Sequence, residues 1–265
     1  MCCRREVVIL YRCERYVAID KPPDTRIDGG RHDEKADEPN ALALLRRLLP
    51  AKTEVRHCHQ LDYATSGVML YALSKKAAAA AAKLFEARRV HKSYVALVAG
   101  HVVPADLECS EPICQDPSNE FKMMCGDRDV VWPDDKKRRK HSGPASTSFF
   151  VVARGTYKLK PVTKMSVEPA SGRRHQIRLH ALALGHPIVG DATYAPIDPL
   201  DDRMMLHARE LRIPLDDGEK DIVVRAQDPF CPDLLPGLEL DAEEDLRYLS
   251  QAPPRMMTRG EPASD

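Results

Sequence analysis

The stretch "RHCHQLDYATSGVML", residues 56–70, admits two readings. In the first, His57 and His59 stand two apart, as on one face of a strand, and hold a metal ion with Asp62 as a third ligand, the ligand number of a catalytic zinc. In the second, Asp62 is a single carboxylate offered from a loop that Thr65, Ser66 and Gly67 close, just before the apolar run "GVMLYAL". Short hydroxyl side chains bond to nearby backbone and stiffen turns, and glycine permits torsions or close approaches that other residues resist. Spacing weakens the metal reading. Asp62 falls one place too late for an HxHxDH pattern, no HExxH helix exists, and His175, His180 and His207 are scattered along the chain. On this segment alone, Asp62 reads as an ordinary turn residue.

The rest of the chain sets the context. Its 265 residues, 43% of them hydrophobic, suit one large domain or one and a half with a sizeable core. The formal net charge is zero, which counts against a chain that is basic throughout and binds nucleic acid over its whole surface. The signs are separated, however: basic runs at Arg88–Lys92, Lys136–Lys140 and Arg173–Arg178 stand against acidic runs at Asp33–Glu38 and Asp241–Asp245. A basic face is therefore compatible with the zero total. Eight cysteines occur without a CxxC pair. A core of this size needs no disulfide framework, so the thiols read as reduced and the chain as intracellular. No apolar run approaches a membrane span, and no apolar leader precedes the expected first strand near Glu6.

Short β-branched runs at 6–11 and 15–19 predict a hairpin. "NALALLRRLLP" (40–50) carries a helical stripe at 42, 45, 48 and 49. The run from 67 to 73 predicts a buried strand. Ser74 caps an alanine-rich helix, and 92–102 returns as a strand. Residues 103–145 read as an irregular excursion with short strands. Two strands follow around Gly155, then a helix over 173–185 with Gly185 as its C-cap. Late strands lie at 204–214 and 221–226, and a short helix near 241–250. Strands outnumber helices without regular alternation, which predicts an α+β fold: a mixed, mostly antiparallel sheet with flanking helices. The expected division is one main domain over 1–235 and an acidic, proline-containing, partly loose extension over 236–265.

Five segments in register decide between the two readings. "HQLDYATSGVMLYAL" resembles the HRLDxxTSG segment of the RluA-type RNA pseudouridine synthases. "VHKSYVALVAG" is similar to the segment that follows it there, with a basic residue two before a tyrosine. "GRRHQIRLHALALGHPIVGDATY" resembles that family's GRxHQIRxH…LGHPIxGDxxY segment. "MMLHARELRIP" and "YVAIDKPPD" are similar to its late strand and its opening strand and turn. Order and spacing match over about residues 7–230.

The resemblance implies isomerisation of uridine in RNA to pseudouridine. The C1′–N1 bond breaks, the base turns and C5 bonds to C1′, without redox change or net hydrolysis, so no cofactor and no metal is implied. Asp62 matches the catalytic aspartate, Arg178 the arginine that pairs with it and Tyr94 the tyrosine that stacks on the target uracil. Leu206 matches the apolar residue beneath that tyrosine. His59, Gln60, Thr65, Ser66 and Gly67 belong to the substrate-facing loop, and Lys92, Arg173 and Arg174 are candidates for phosphate contacts. Gln60 departs from the family's usual arginine, which fills the space left by a flipped base. The partner implied is RNA, bound by a monomer away from any membrane, with the RNA-binding role surviving even in a chain without catalysis.

Overall fold

The computed structural model describes residues 6–29, 40–119, 121–126, 142–195, 202–215 and 220–241. The Lys136–Lys140 run, the acidic runs and the expected helix near 241–250 lie outside, apart from Asp241.

The opening hairpin is β1 (Val8–Arg12) and β2 (Tyr16–Lys21). Helix α1 (Ala41–Leu48) follows, its N-terminus capped by Asn40, whose Oδ1 accepts from the Ala43 N–H at 2.9 Å. Next come a two-residue strand β3 (Arg56–His57), β4 (Ser66–Ala72), α2 (Lys75–Glu86) and β5 (His91–Ala99). As expected, the Ser74 side chain caps α2 by accepting from Ala77 N–H. The excursion carries β6 (Asp106–Cys109), β7 (Ile113–Gln115), β8 (Met123–Cys125) and β9 (Ser142–Gly143). Long strands β10 (Thr147–Tyr157) and β11 (Lys160–Pro169) lead to α3 (Gln176–Ala183), β12 (Leu206–Ile213), β13 (Ile222–Arg225) and β14 (Leu238–Leu240). Gly185 ends α3 with φ +82°.

The main sheet runs β1-β2-β4-β12-β5-β11-β10-β14, with β3, β6 and β13 paired to its members, and β8-β7-β9 form a separate small sheet. Its pairings are antiparallel except between β4 and β12, where His207 lies beside Ser66 and Ala208 beside Gly67. Gly67 is required there. Its φ is +110°, and a Cβ would sit 2.2 Å from the Ala208 carbonyl oxygen. The mixed, mostly antiparallel α+β sheet is therefore as the sequence predicts.

Strand β4 is buried throughout because both of its faces are covered. Val68, Leu70 and Ala72 pack with Ala77, Ala81 and Leu84 of α2, whereas Met69 and Tyr71 pack with Ala41 and Leu45 of α1. Three details differ from expectation. The buried stripe of α1 is Ala41, Leu45 and Leu49, and Leu48 is 51% exposed. The β10–β11 turn lies at Lys158–Leu159, both with positive φ, while Gly155 sits within β10, where Glu239 of β14 passes too close for a Cβ. Residues 238–240, expected in the C-terminal extension, complete the sheet.

Candidate active site

Between the Asp62 loop, the end of α2 and the 169–178 segment opens a cavity of about 680 Å³, within the range of small-molecule sites. It brings Asp62, Tyr94, Arg178 and Leu206 together with His59, Gln60, Thr65, Lys92 and Arg173. Asp62 and Arg178, 116 residues apart, meet at 3.2 Å through Nη1 and Oδ2.

Arg178 is held on three sides. Its Nε and Nη2 donate to the two carboxylate oxygens of Asp191 at 2.7 and 2.6 Å, a fork that fixes the plane of the guanidinium. Its Cζ also stands over the Tyr194 ring, 5.0 Å from the ring centre. Only Nη1 is left for Asp62. Burial by itself disfavours the arginine's charge, but the Asp191 bonds and the charges of Asp191 and Asp62 outweigh it and push its pKa above the ordinary value.

Tyr194 also braces its neighbours. Its hydroxyl accepts from the Met123 N–H at 2.9 Å and shares a 2.7 Å hydrogen bond with His175 Nδ1. His175, left-handed at φ 59° just before α3, lines the cavity as a neutral ring. Burial pulls its pKa down to about 4, against the opposing pull of Asp62. Gln176 is fully used: its oxygen accepts from Ser171 Oγ and Arg173 N–H, and its amide donates to Ser146 O and Thr147 Oγ1. The start of α3 and the 171–173 turn are thereby fastened to β10.

The Asp62 loop is anchored from behind by Lys21, which is fully buried. Its ammonium donates to the carbonyls of Pro22 and Thr25 at 2.9 Å and of Tyr63 at 3.0 Å. Burial pulls its pKa down to about 7. At the end of the loop Thr65 N–H donates to Asp62 O.

Tyr94 is partly buried on β5, between Val167 of β11 and Ala208 of β12. Burial, then the nearby Asp62 charge, push its phenol well above the ordinary range, so it stays neutral. Leu206 lies beside it in the same apolar cluster. Lys92 donates to Ser171 O at 2.7 Å, and burial lowers its pKa. Gln60 and Arg173 are exposed at the cavity.

Three expected contacts lie elsewhere. Ser66 turns to the opposite side of the sheet, where its hydroxyl accepts from Arg203 Nη2 at 2.6 Å and shares a 2.7 Å bond with His207 Nδ1. Gly67 serves the β4–β12 approach. Arg174 does not line the cavity; it donates to Phe121 O at 2.8 Å. The two histidines of the opening motif also part company. His59 Nε2 accepts from the Leu70 N–H at 2.9 Å and its ring stacks on Phe85, with burial pulling its pKa down to about 4. His57 faces Asp28 and Tyr71. No group of three or more His, Cys, Asp or Glu among the described residues is placed to hold a metal ion. Asp191, Tyr194 and His175 were not singled out from sequence, although all three fall within the "GRRHQIR…GDATY" segment.

Residues 15–183 match the family model of RNA pseudouridylate synthases. The chain belongs to that family. It is 38% identical over 234 residues to RNA pseudouridylate synthase domain-containing protein 1 of Danio rerio, covering 85% of this chain and 76% of that one. The dual-specificity RNA pseudouridine synthase RluA of Escherichia coli is 34% identical over 210 residues, covering 78% of this chain and 86% of RluA. Among solved structures, human RNA pseudouridylate synthase domain-containing 1 superposes with a TM-score of 0.79 at 33% identity, over 93% of this chain and 94% of the human one.

Proposed function

We propose that this chain isomerises uridine in RNA to pseudouridine, with Asp62 as the catalytic carboxylate. The observation that carries the reading is the division of Arg178: two donors on buried Asp191, one on Asp62 at the cavity. A guanidinium fixed in this way holds the Asp62 carboxylate in one orientation at the cavity, placed to act on the ribose when the glycosidic bond breaks. The isomerisation is balanced within the substrate. C1′ loses N1 and gains C5, C5 gives up a proton and N1 takes one. It needs neither electrons nor water, so the chemistry asks for no cofactor.

Tyr94 and Leu206 supply an apolar wall on which a uracil stacks, which compensates a base drawn out of its own stack. Lys92 and Arg173 at the rim suit phosphate oxygens. Gln60 at the rim offers hydrogen bonds without charge, which favours uridines in loops or distorted helices, where extrusion costs less. The free thiols among the described residues support an intracellular setting.

Asp62→Asn preserves shape and removes the charge. We expect it to abolish pseudouridine formation, read by mapping pseudouridine in RNA incubated with each protein, while circular dichroism and RNA affinity stay near wild type. Turnover comparable with wild type would reject Asp62 as the catalytic group. RNA binding by the wild type without any pseudouridine would instead mark a non-catalytic RNA-binding protein.

A further inference from the structure

We propose that Phe121 is a stacking platform for an unpaired RNA base flanking the target uridine, tied by Arg174 to the segment that lines the cavity. The inference rests on the reading of the chain as an RNA-modifying enzyme and adds a second contact to it.

The chain has five phenylalanines. Phe85 and Phe150 are partly buried, Phe149 and Phe230 fully, and Phe121 alone is exposed, at 70%. A lone apolar side chain at the surface needs no special cause, but the described residues around this one are held by hydrogen bonds. Phe121 N–H donates to Asn119 Oδ1 at 2.9 Å, and Lys122 N–H donates to Asn119 O. Gln115 Nε2 donates to the carbonyls of Asn119 and Lys122. At the loop's entry Ser118 N–H and Oγ both bond to Asp116 Oδ1. An aromatic ring on such a support binds at small entropic cost.

The loop is also tied to the catalytic centre by two separate contacts. Arg174 donates to Phe121 O, and its neighbours in sequence, Arg173 and His175, both line the cavity. Met123, two residues on, donates its N–H to Tyr194 OH, the ring that supports Arg178. Phe121 is therefore tied through Arg174 and Met123 to the segments that line and support the cavity, and Arg173 and Arg174 are themselves exposed. Exposed aromatic faces next to arginines are how proteins take hold of single-stranded nucleotides, and every base offers a face to stack on.

The test uses the full chain carrying Asp62→Asn, so that no turnover interferes, and two fluorescent single-stranded uridine-rich RNAs. In one, the nucleotides flanking a central uridine carry their bases; in the other, those positions are abasic. We expect about 5- to 100-fold tighter binding of the base-carrying RNA. Phe121→Ala should lose that preference and bind both RNAs at the weaker level, and Phe121→Trp should restore it. The proposal is overturned if Phe121→Ala keeps the preference, or if its loss of affinity is the same on both RNAs. Failure of the wild-type site to bind either RNA would overturn the RNA reading itself, and the stacking platform with it.

Discussion

Arg178 has two acidic neighbours and treats them differently. Asp191, buried, takes the fork, and Asp62 takes one longer bond. Removing one partner of a buried pair leaves an uncompensated charge and costs about 3–5 kcal/mol. Asp191→Asn should therefore destabilise the fold by about that amount. It should also slow pseudouridine formation at least about tenfold, because the freed guanidinium swings onto Asp62 and ties up the carboxylate. Urea titration and single-turnover rates check both, and unchanged values would show that the fork does not position the site. That Asp62, Tyr94 and Arg178 share one cavity was legible in the sequence because each lies in a contiguous segment that resembles a known one. Asp191 and Tyr194 stood in one of those segments too, but their work consists of contacts with residues far along the chain. Ser66 misled for the opposite reason: its neighbour Thr65 faces the cavity, and alternation turns Ser66 away.

At the scale of elements, local rules were enough where they acted alone. Ser74 caps the helix the sequence assigned to it, and Asn40, at the start of the other predicted helix, caps that one. The β10–β11 connection shows where such rules fail. Gly155 suggested the turn, but β14 returning from the far end of the chain claims it for close packing. The turn falls to Lys158 and Leu159, two ordinary residues with φ 49° and 66°. Consecutive positive φ values are what a two-residue hairpin of this twist requires, and an L-residue meets them at a cost of about 1–2 kcal/mol. Leu159 is 93% exposed, so it has little packing to lose. Leu159→Gly should stabilise the protein by about 0.5–1 kcal/mol, after the entropy that glycine adds to the unfolded chain. A lower urea midpoint for the variant would contradict this.

The whole molecule carries several ionisable groups in the form that burial prefers. His59 and His175 are pulled down to about 4 and His207 to about 3, in each case chiefly by burial. Unfolded histidine titrates near 6.5. Below that value the unfolded chain takes up protons that the folded chain refuses, so stability falls as pH drops from about 6.5 toward 4. Asp20 opposes this. Burial raises it to about 6, so the folded chain holds a proton there that the unfolded chain has lost, which offsets about one histidine. The net loss should be on the order of 1–2 kcal/mol per pH unit near pH 5, with the partly open His175 contributing least. Urea midpoints at pH 7 and pH 5 measure it, and equal midpoints would exclude it. None of these shifts was legible in the sequence, because they depend on enclosure by residues from distant elements.

Two pairs of residues, His207 beside Ser66 and Ala208 beside Gly67, are the parallel seam of the sheet. It joins β1, β2 and β4 to β12, β5, β11 and β10; the Asp62 loop leads into β4 on one side, and on the other Tyr94 stands on β5, the partner of β12. Ser66 and His207 are 141 residues apart, and contacts of such long range come late in folding, after the loop between them has been closed. If the proposed reaction is this chain's, the newly made chain should be inert until β12 has emerged and docked. Activity acquired in this way is a clock: its first appearance during synthesis or refolding times the closing of that seam, and its loss on local opening precedes the melting of either half.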